Sequence, residues 1–210
     1  MRKPLLAALC LTLLAPGAAL ADSTMTYDFT GFDELDISAG VDVTYEVGPD
    51  YAVIIDFKQG GPDDMKLRQD GSRLYIARKA TSGWRDKVRA KVRVTSPHLE
   101  EIEASSGSSI RATGIDTDIL VLDASSGASI KAEGKCGSLK IVANSGGSAS
   151  AKDVVCQKVA ANASSGGSAR AYASAEAKSH TSSGGSVDIY GDPSDREANH
   201  SVSGGSTTFH

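Results

Sequence analysis

The tetrapeptide Ser-Gly-small-Ser occurs six times in the second half of the chain, and its spacing restricts the fold more than any other feature. The glycines Gly107, Gly127, Gly146, Gly166, Gly184 and Gly204 are separated by 20, 19, 20, 18 and 20 residues. Each is preceded by a serine (106, 126, 145, 165, 183 and 203) and followed two places later by another (109, 129, 148, 168, 186 and 206). A stretch rich in Ser, Gly and Ala reads by composition as a flexible linker, but a linker has no reason to hold such a register. A fixed short period marks a solenoid, whose repeats bury their apolar faces only by stacking on one another.

Superposing the repeats lines up small apolar residues. Ile110, Ile130, Ala149, Ala169 and Val187 form one column, and Ala112, Ala132, Ala151, Ala171 and Ile189 a second. Leu120, Leu139 and Val159, then Leu122, Ile141 and Ala161, then Ala124, Ala143 and Ala163 form three more. A coil of about twenty residues is too short for a helix plus a strand, so each coil is strand and turn, with Arg111, Lys131, Lys140 and Arg170 outward. The expected fold is all-β: a β-solenoid (single-stranded β-helix) of about six C-terminal coils, roughly 29 Å long at ~4.8 Å per coil. The six glycines are expected at corners, where a left-handed conformation is needed, with the serines hydrogen-bonding along the stack. This explains the motif by geometry and places any binding site elsewhere, on the outward strand faces or at the open end.

Cys136 and Cys156 each lie nine residues before the serine of the following corner, so they occupy the same site on adjacent coils. A separation near 4.8 Å suits a disulfide, and we expect a structural Cys136–Cys156 bond.

Before residue 99 the text is ordinary β-strand. Val41, Val43, Tyr45 and Val47 alternate, as do Val53, Ile55 and Phe57, then Leu74 and Ile76 after the turn pair Asp70-Gly71, then Val88, Ala90, Val92 and Val94. Gly60-Gly61-Pro62 and residues 80–86 around Trp84 read as loops. Residues 22–98 are therefore expected to form an N-terminal β segment continuous with the solenoid of residues 99–210.

The first 21 residues have the three parts of a cleavable leader: basic Arg2 and Lys3, an apolar run over residues 5–14, and Ala19-Leu20-Ala21 after Pro16-Gly17. The run is well short of the roughly 20 residues a span needs. Cys10 lies early in it, preceded by Leu9 where lipoprotein acylation wants a small residue, so it leaves with the leader. The mature chain carries 20 basic and 26 acidic residues, the formal charge moving from −4 to −6 as Arg2 and Lys3 are lost. No basic patch with interleaved aromatics points to nucleic acid, and no second apolar run points to a transmembrane segment. The expected location is periplasmic or extracellular.

The run "FDELDISAGVDVTYEVG" from Phe32, then "RLYIARK" from Arg73, leading into "LEEIEASSGSSI" from Leu99 and successive Ser-Gly coils, resembles the putative autotransporter adhesin, head GIN-domain family. The resemblance spans about residues 32–209. It implies a β-helical domain exported to the periplasm or cell surface, with no enzymatic role. The chain ends at His210 within its sixth repeat, so it is not expected to carry the membrane barrel of a true autotransporter.

No catalytic, cofactor or metal set is expected. The chain has no Gly-x-Ser-x-Gly elbow. Asp116, Asp118, Asp123 and Asp153, the candidate acids of a polysaccharide-acting enzyme, do not recur in one column. His180 and His200 are expected side by side on adjacent coils but without a third ligand, and Asp116 with Asp118 falls short of a calcium shell. The leading expectation is a non-catalytic, adhesin-like binding or scaffolding module whose partner is a cell-envelope protein or glycan. Polysaccharide cleavage is the competing class. Because the core thins towards the C-terminus with no cap in view, self-association through that end is also expected.

Overall fold

The computed structural model describes residues 23–79, 88–201 and 203–210. The expected leader and the loop over residues 80–86 lie outside the described residues. Among the described residues no helix is long and apolar enough to cross a membrane.

The protein is nearly all strand. Four long strands, β9 (Ser109–Ala124), β10 (Ser129–Ala143), β11 (Ser148–Ala163) and β12 (Ser168–Thr181), each run along one wall of the solenoid, bend, and return along the other. They pair in parallel with Ile110, Ile130, Ala149 and Ala169 in one row and Leu120, Leu139, Val159 and Ala177 in another, as the sequence columns require. These rows are buried, and their alternating neighbours face out. The six corners bound about five complete turns, close to the six coils read from the spacing.

Each of the first five corners is a four-residue turn with both central residues left-handed: Ser106 and Gly107 at φ 53° and 71°, Ser165 and Gly166 at 49° and 73°. The turn closes by a main-chain bond, 2.8 Å from the Gly167 N–H to the Ser164 carbonyl. Serine hydroxyls serve the corners at the two ends of the stack, where the Ser108 Oγ donates to the Ile37 carbonyl and the Ser203 Oγ accepts from the Ser183 N–H, but between them the ladder is made by the backbone. The Gly127 N–H donates to the Ser145 carbonyl at 3.2 Å and the Gly146 N–H to that of Ser165 at 3.1 Å, which already satisfies the polar groups the hydroxyls would have served.

The solenoid continues into the N-terminal half in an order unlike that of the chain. Strands β2 (Glu34–Ser38) and β3 (Asp42–Val47), joined through left-handed Ala39 and Gly40, stack in parallel on β8 (Glu101–Ala104) and β9. On their other side lie β6 (Arg73–Arg78) and β7 (Arg89–Ser96), also parallel. Antiparallel strands then end the column: β4 (Ala52–Gln59) on β7, β1 (Ser23–Tyr27) on β4, and β5 (Met65–Asp70) on β6. The core is bulkiest here, with Phe32, Tyr45, Ile55 and Phe57 buried. The hydroxyl of Tyr45 reaches the Ser96 Oγ at 2.7 Å and donates to the His98 carbonyl, and burial pushes its pKa up to about 12.

At the other end, β13 (Gly185–Tyr190) carries β15 (Gly205–Phe209), and β12 carries β14 (Asp195–His200). This coil supplies the cap that the sequence did not reveal. Its column positions hold Arg196, His200 and Thr207 in place of apolar residues. The Thr207 hydroxyl lies 2.9 Å from that of Ser179, the His200 Nδ1 lies 2.6 Å from the Thr181 Oγ1, and the Arg196 guanidinium stands over the Phe209 ring at 5.4 Å. The core thus ends in side chains that tolerate water.

The disulfide is present. Cys136 and Cys156 are register partners with Cα atoms 4.6 Å apart and an S–S bond of 2.05 Å.

Candidate binding surface

With the corners occupied by main-chain chemistry, the outward strand positions carry the chemical variety, and the densest cluster of carboxylates lies on one stretch of one wall. On the wall formed by β6, β2, β8 and the second half of β9, parallel register sets Asp36 beside Glu103 and Glu103 beside Asp123, with Glu34 beside Glu101 one position along. Arg73 is the cation among them, 2.7 Å from Glu34, 3.0 Å from Glu101 and 2.7 Å from Glu103. Burial holds the carboxyls of Asp36, Glu103 and Asp123 above their ordinary range, opposed by Arg73 for the first two and by Lys140 for the third. The Arg73 guanidinium is pushed upward, chiefly by its hydrogen bond to Glu34.

This arrangement has a pH consequence. A carboxyl whose folded pKa is raised binds its proton more tightly folded than unfolded, so its ionised form costs stability at neutral pH. That cost is relieved as pH falls through the raised values, and the relief is complete below the unfolded value, about 4. Replacing Arg73 with Met removes the opposing cation from Glu103 and the larger of the two, Arg73 and Arg68, that oppose burial at Asp36. The Arg73→Met protein is therefore expected to have a lower thermal midpoint than wild type at pH 7, with the gap narrowing at pH 5. A gap that stays constant or widens in thermal melts at the two pH values would show that these carboxylates are not coupled to Arg73.

The other wall carries a row of cations interleaved with acids, among them Asp42, Asp56, Glu133, Asp153 and Asp188. Arg89, Lys91 and Arg93 of β7 continue through Arg111 on β9, Lys131 on β10 and Arg170 on β12, all on outward positions. Several are matched locally: Arg93 to Asp56 at 2.9 Å, Arg111 to Glu133 at 2.8 Å, Arg170 to Asp188 at 3.6 Å.

The four candidate acids are dispersed. Asp116 pairs with Lys135 at 3.0 Å and, with Asp118, lines a hollow beside the disulfide. Asp123 lies in the carboxylate cluster, and Asp153 faces Lys131 on the opposite wall at 3.7 Å. His180 and His200 are not neighbours. His180 pairs in register with Asn199, and His200 with Thr181. Four residues separate His200 from Gly205 where three separate Thr181 from Gly185, and the one-residue insertion moves His200 into the capping row. Among the described residues no group of three or more His, Cys, Asp or Glu side chains is placed to hold a metal.

Sequence reasoning missed the carboxylate cluster. Its signal was the Glu-x-Asp of β2 and the Glu-x-Glu of β8, two alternating acidic strands whose meaning depends on their being stacked.

Fold and surface together define a parallel β-solenoid with tight polar corners, a C-terminal core closed by polar side chains and a cluster of carboxylates around Arg73 on one strand face. The chain belongs to the family described as "Putative auto-transporter adhesin, head GIN domain", whose model matches residues 31–193. The solved structure of a protein described as "a putative adhesin" from Bacteroides fragilis NCTC 9343 superposes with a TM-score of 0.72 at 16% identity, covering 91% of this chain and 97% of that one. A "Putative lipid binding protein" from Parabacteroides distasonis ATCC 8503 superposes at 0.51 and 16% identity, covering 90% of this chain and 96% of that one. At these identities the likeness is one of fold. No curated protein matches the chain in sequence.

Proposed function

We propose that the protein is exported through the leader of residues 1–21 and acts outside the cytoplasm as a non-catalytic, adhesin-like binding module for a cell-envelope protein or glycan. The observation that carries this reading is the rigid strand walls, which hold charged side chains of both signs in fixed outward rows. The side chains that vary between coils face solvent in fixed rows, as a recognition surface requires, while the nominated acids are too dispersed for paired acid–base work. Membership of an adhesin-described family supports the same reading.

Co-sedimentation of the mature chain with isolated envelope fractions tests it. Binding that weakens with salt is expected, because exposed charges are screened. Failure to bind any fraction, or release of new reducing ends from envelope polysaccharide, would overturn it.

A second contact belongs to the C-terminal end. The side chains there are polar, but β14 and β15 each pair on one side only, which leaves strand edges open to another copy or a partner. Light scattering is expected to give a mass for the mature chain that rises with concentration. A monomer's mass at every concentration would remove self-association from this reading.

A further inference from the structure

We propose that a groove crossing β10 beside the disulfide binds an oligosaccharide of N-acetylated amino sugars, an inference that rests on the binding-module reading and names its ligand chemistry. Two hollows make the groove, one of about 340 Å3 at the bend and one of about 330 Å3 where the second wall begins. They run on from one another at Asp118-Ile119, Gly137-Ser138 and Gln157-Lys158. Each volume lies in the range of small-molecule sites. The sides of the groove are β9 and β11, two strand spacings or roughly 10 Å apart. Its floor on β10 carries no side chain at Gly137, where a Cβ would lie 2.8 Å from the Asp118 carbonyl oxygen.

Net charge does not select the ligand, because the charged groups lining the groove are largely matched. Lys135 pairs with Asp116 at 3.0 Å, and Glu176 takes Lys158 at 3.3 Å and Lys178 at 2.8 Å. Lys140 opposes the burial of the Asp123 carboxyl. What remains for a ligand is hydrogen bonding. Among the described residues the side chains of Asp118, Ser138 and Gln157 make no hydrogen bond or ion pair. A carboxylate, a hydroxyl and an amide on three neighbouring strands offer donors and acceptors to a molecule that carries many of both, as a saccharide does.

Two features narrow the saccharide. Ile119 and Val155 are 60% and 54% exposed, the most open large apolar side chains among the described residues, and they stand on opposite sides of the groove. Among the described residues no aromatic ring lines either hollow, so a bare sugar ring has no flat partner to stack on. Branched aliphatic side chains pack instead on methyl groups. An acetamido group supplies the methyl, an N–H that can donate to Asp118 and a carbonyl that can accept from the Gln157 amide.

Calorimetric titration of the full mature chain with triacetylchitotriose and with cellotriose tests the inference. The two share a linkage and differ in that cellotriose has hydroxyls where the other has acetamido groups. Triacetylchitotriose is expected to bind, and cellotriose roughly tenfold more weakly. The Asp118→Ala/Gln157→Ala protein should lose at least roughly tenfold in affinity for triacetylchitotriose, since two hydrogen-bonding groups are gone. Val155→Thr, which keeps the side chain's shape but adds a hydroxyl, should narrow the preference over cellotriose. Lys152→Ala, on β11 outside both hollows, should leave binding unchanged. If circular dichroism shows the double variant unfolded, Gln157→Ala alone is expected to weaken binding. No binding of triacetylchitotriose, or equal binding by wild type and groove variants, overturns the groove. Equal binding of the two trisaccharides overturns the acetamido group as the selected feature. Envelope binding without trisaccharide binding sinks this inference alone. Trisaccharide binding by a protein that ignores every envelope fraction sinks the broader function and leaves the groove.

Discussion

Replacing Gly167 with alanine is expected to lower the unfolding free energy by about 3 kcal/mol or more, whereas the same change at neighbouring Gly166 should cost only about 1 kcal/mol. Gly166 is the repeated glycine of the motif. It is left-handed at φ +73°, but a Cβ there would meet nothing within 4 Å, so only conformational strain opposes alanine. Ser165 beside it already adopts φ 49°. A Cβ on Gly167 would instead lie 2.2 Å from the Ala143 carbonyl oxygen, 2.4 Å from its carbon and 2.8 Å from the Asn144 nitrogen. These are main-chain atoms of the preceding coil and cannot swing aside as a side chain could. Relief requires the coils to part, which breaks bonds such as that from the Ser164 N–H to the Ala143 carbonyl at 3.0 Å. Urea unfolding of the two variants gives the comparison directly, through midpoints at unchanged slope. Equal costs would mean that coil spacing at the corner is soft. The equivalent place in the first two corners is Ser108 and Ala128, both buried, and it becomes glycine where the neighbouring core column falls from Ile110 and Ile130 to Ala149 and Ala169.

Removing the disulfide ranks second. The Cys136→Ala/Cys156→Ala protein is expected to be less stable by about 3 kcal/mol, from the lost constraint on the unfolded chain for a loop near this length. The sequence separation of the pair is 20 residues. The bond also sits where the ladder is weakest. Register slips between Lys131 and Glu133 on β10, and again between Cys156 and Lys158 where β11 meets β12, so the bend between the walls has fewer main-chain bonds than either wall. Unfolding midpoints with and without reductant measure the effect, and mass spectrometry of the non-reduced mature chain checks the bond itself. Two free thiols, or identical midpoints, would remove it from the account.

Much of the fold was legible because its determinants are local and repeated. Glycine and serine at fixed intervals mark corners, the columns from Ile110 to Val187 and Leu120 to Val159 follow from strand alternation, and the cysteine pair follows from the same counting. Where a residue was added or the motif changed, counting failed. The extra residue near His200 displaced it from His180, and the corner at Ala39-Gly40 lacks the serine that marks the others. The hydrogen-bond ladder at the corners was assigned to hydroxyls because side chains are visible in a sequence and main-chain geometry is not.

What the sequence determined by itself is the period, the corners, the inward rows and the covalent link, since each arises from sterics within one coil or between adjacent coils. Only the tertiary structure decided that the β2–β3 coil lies between β6–β7 and β8–β9. The same is true of the antiparallel strands that close one end and the polar side chains that close the other. The carboxylate cluster belongs with these. Glu34, Arg73 and Glu103 are far apart in the chain, and charges acquire a joint field only when folding brings them within a few ångströms. The Ser-Gly repeat therefore specifies the column, and contacts distant in sequence specify what the column presents.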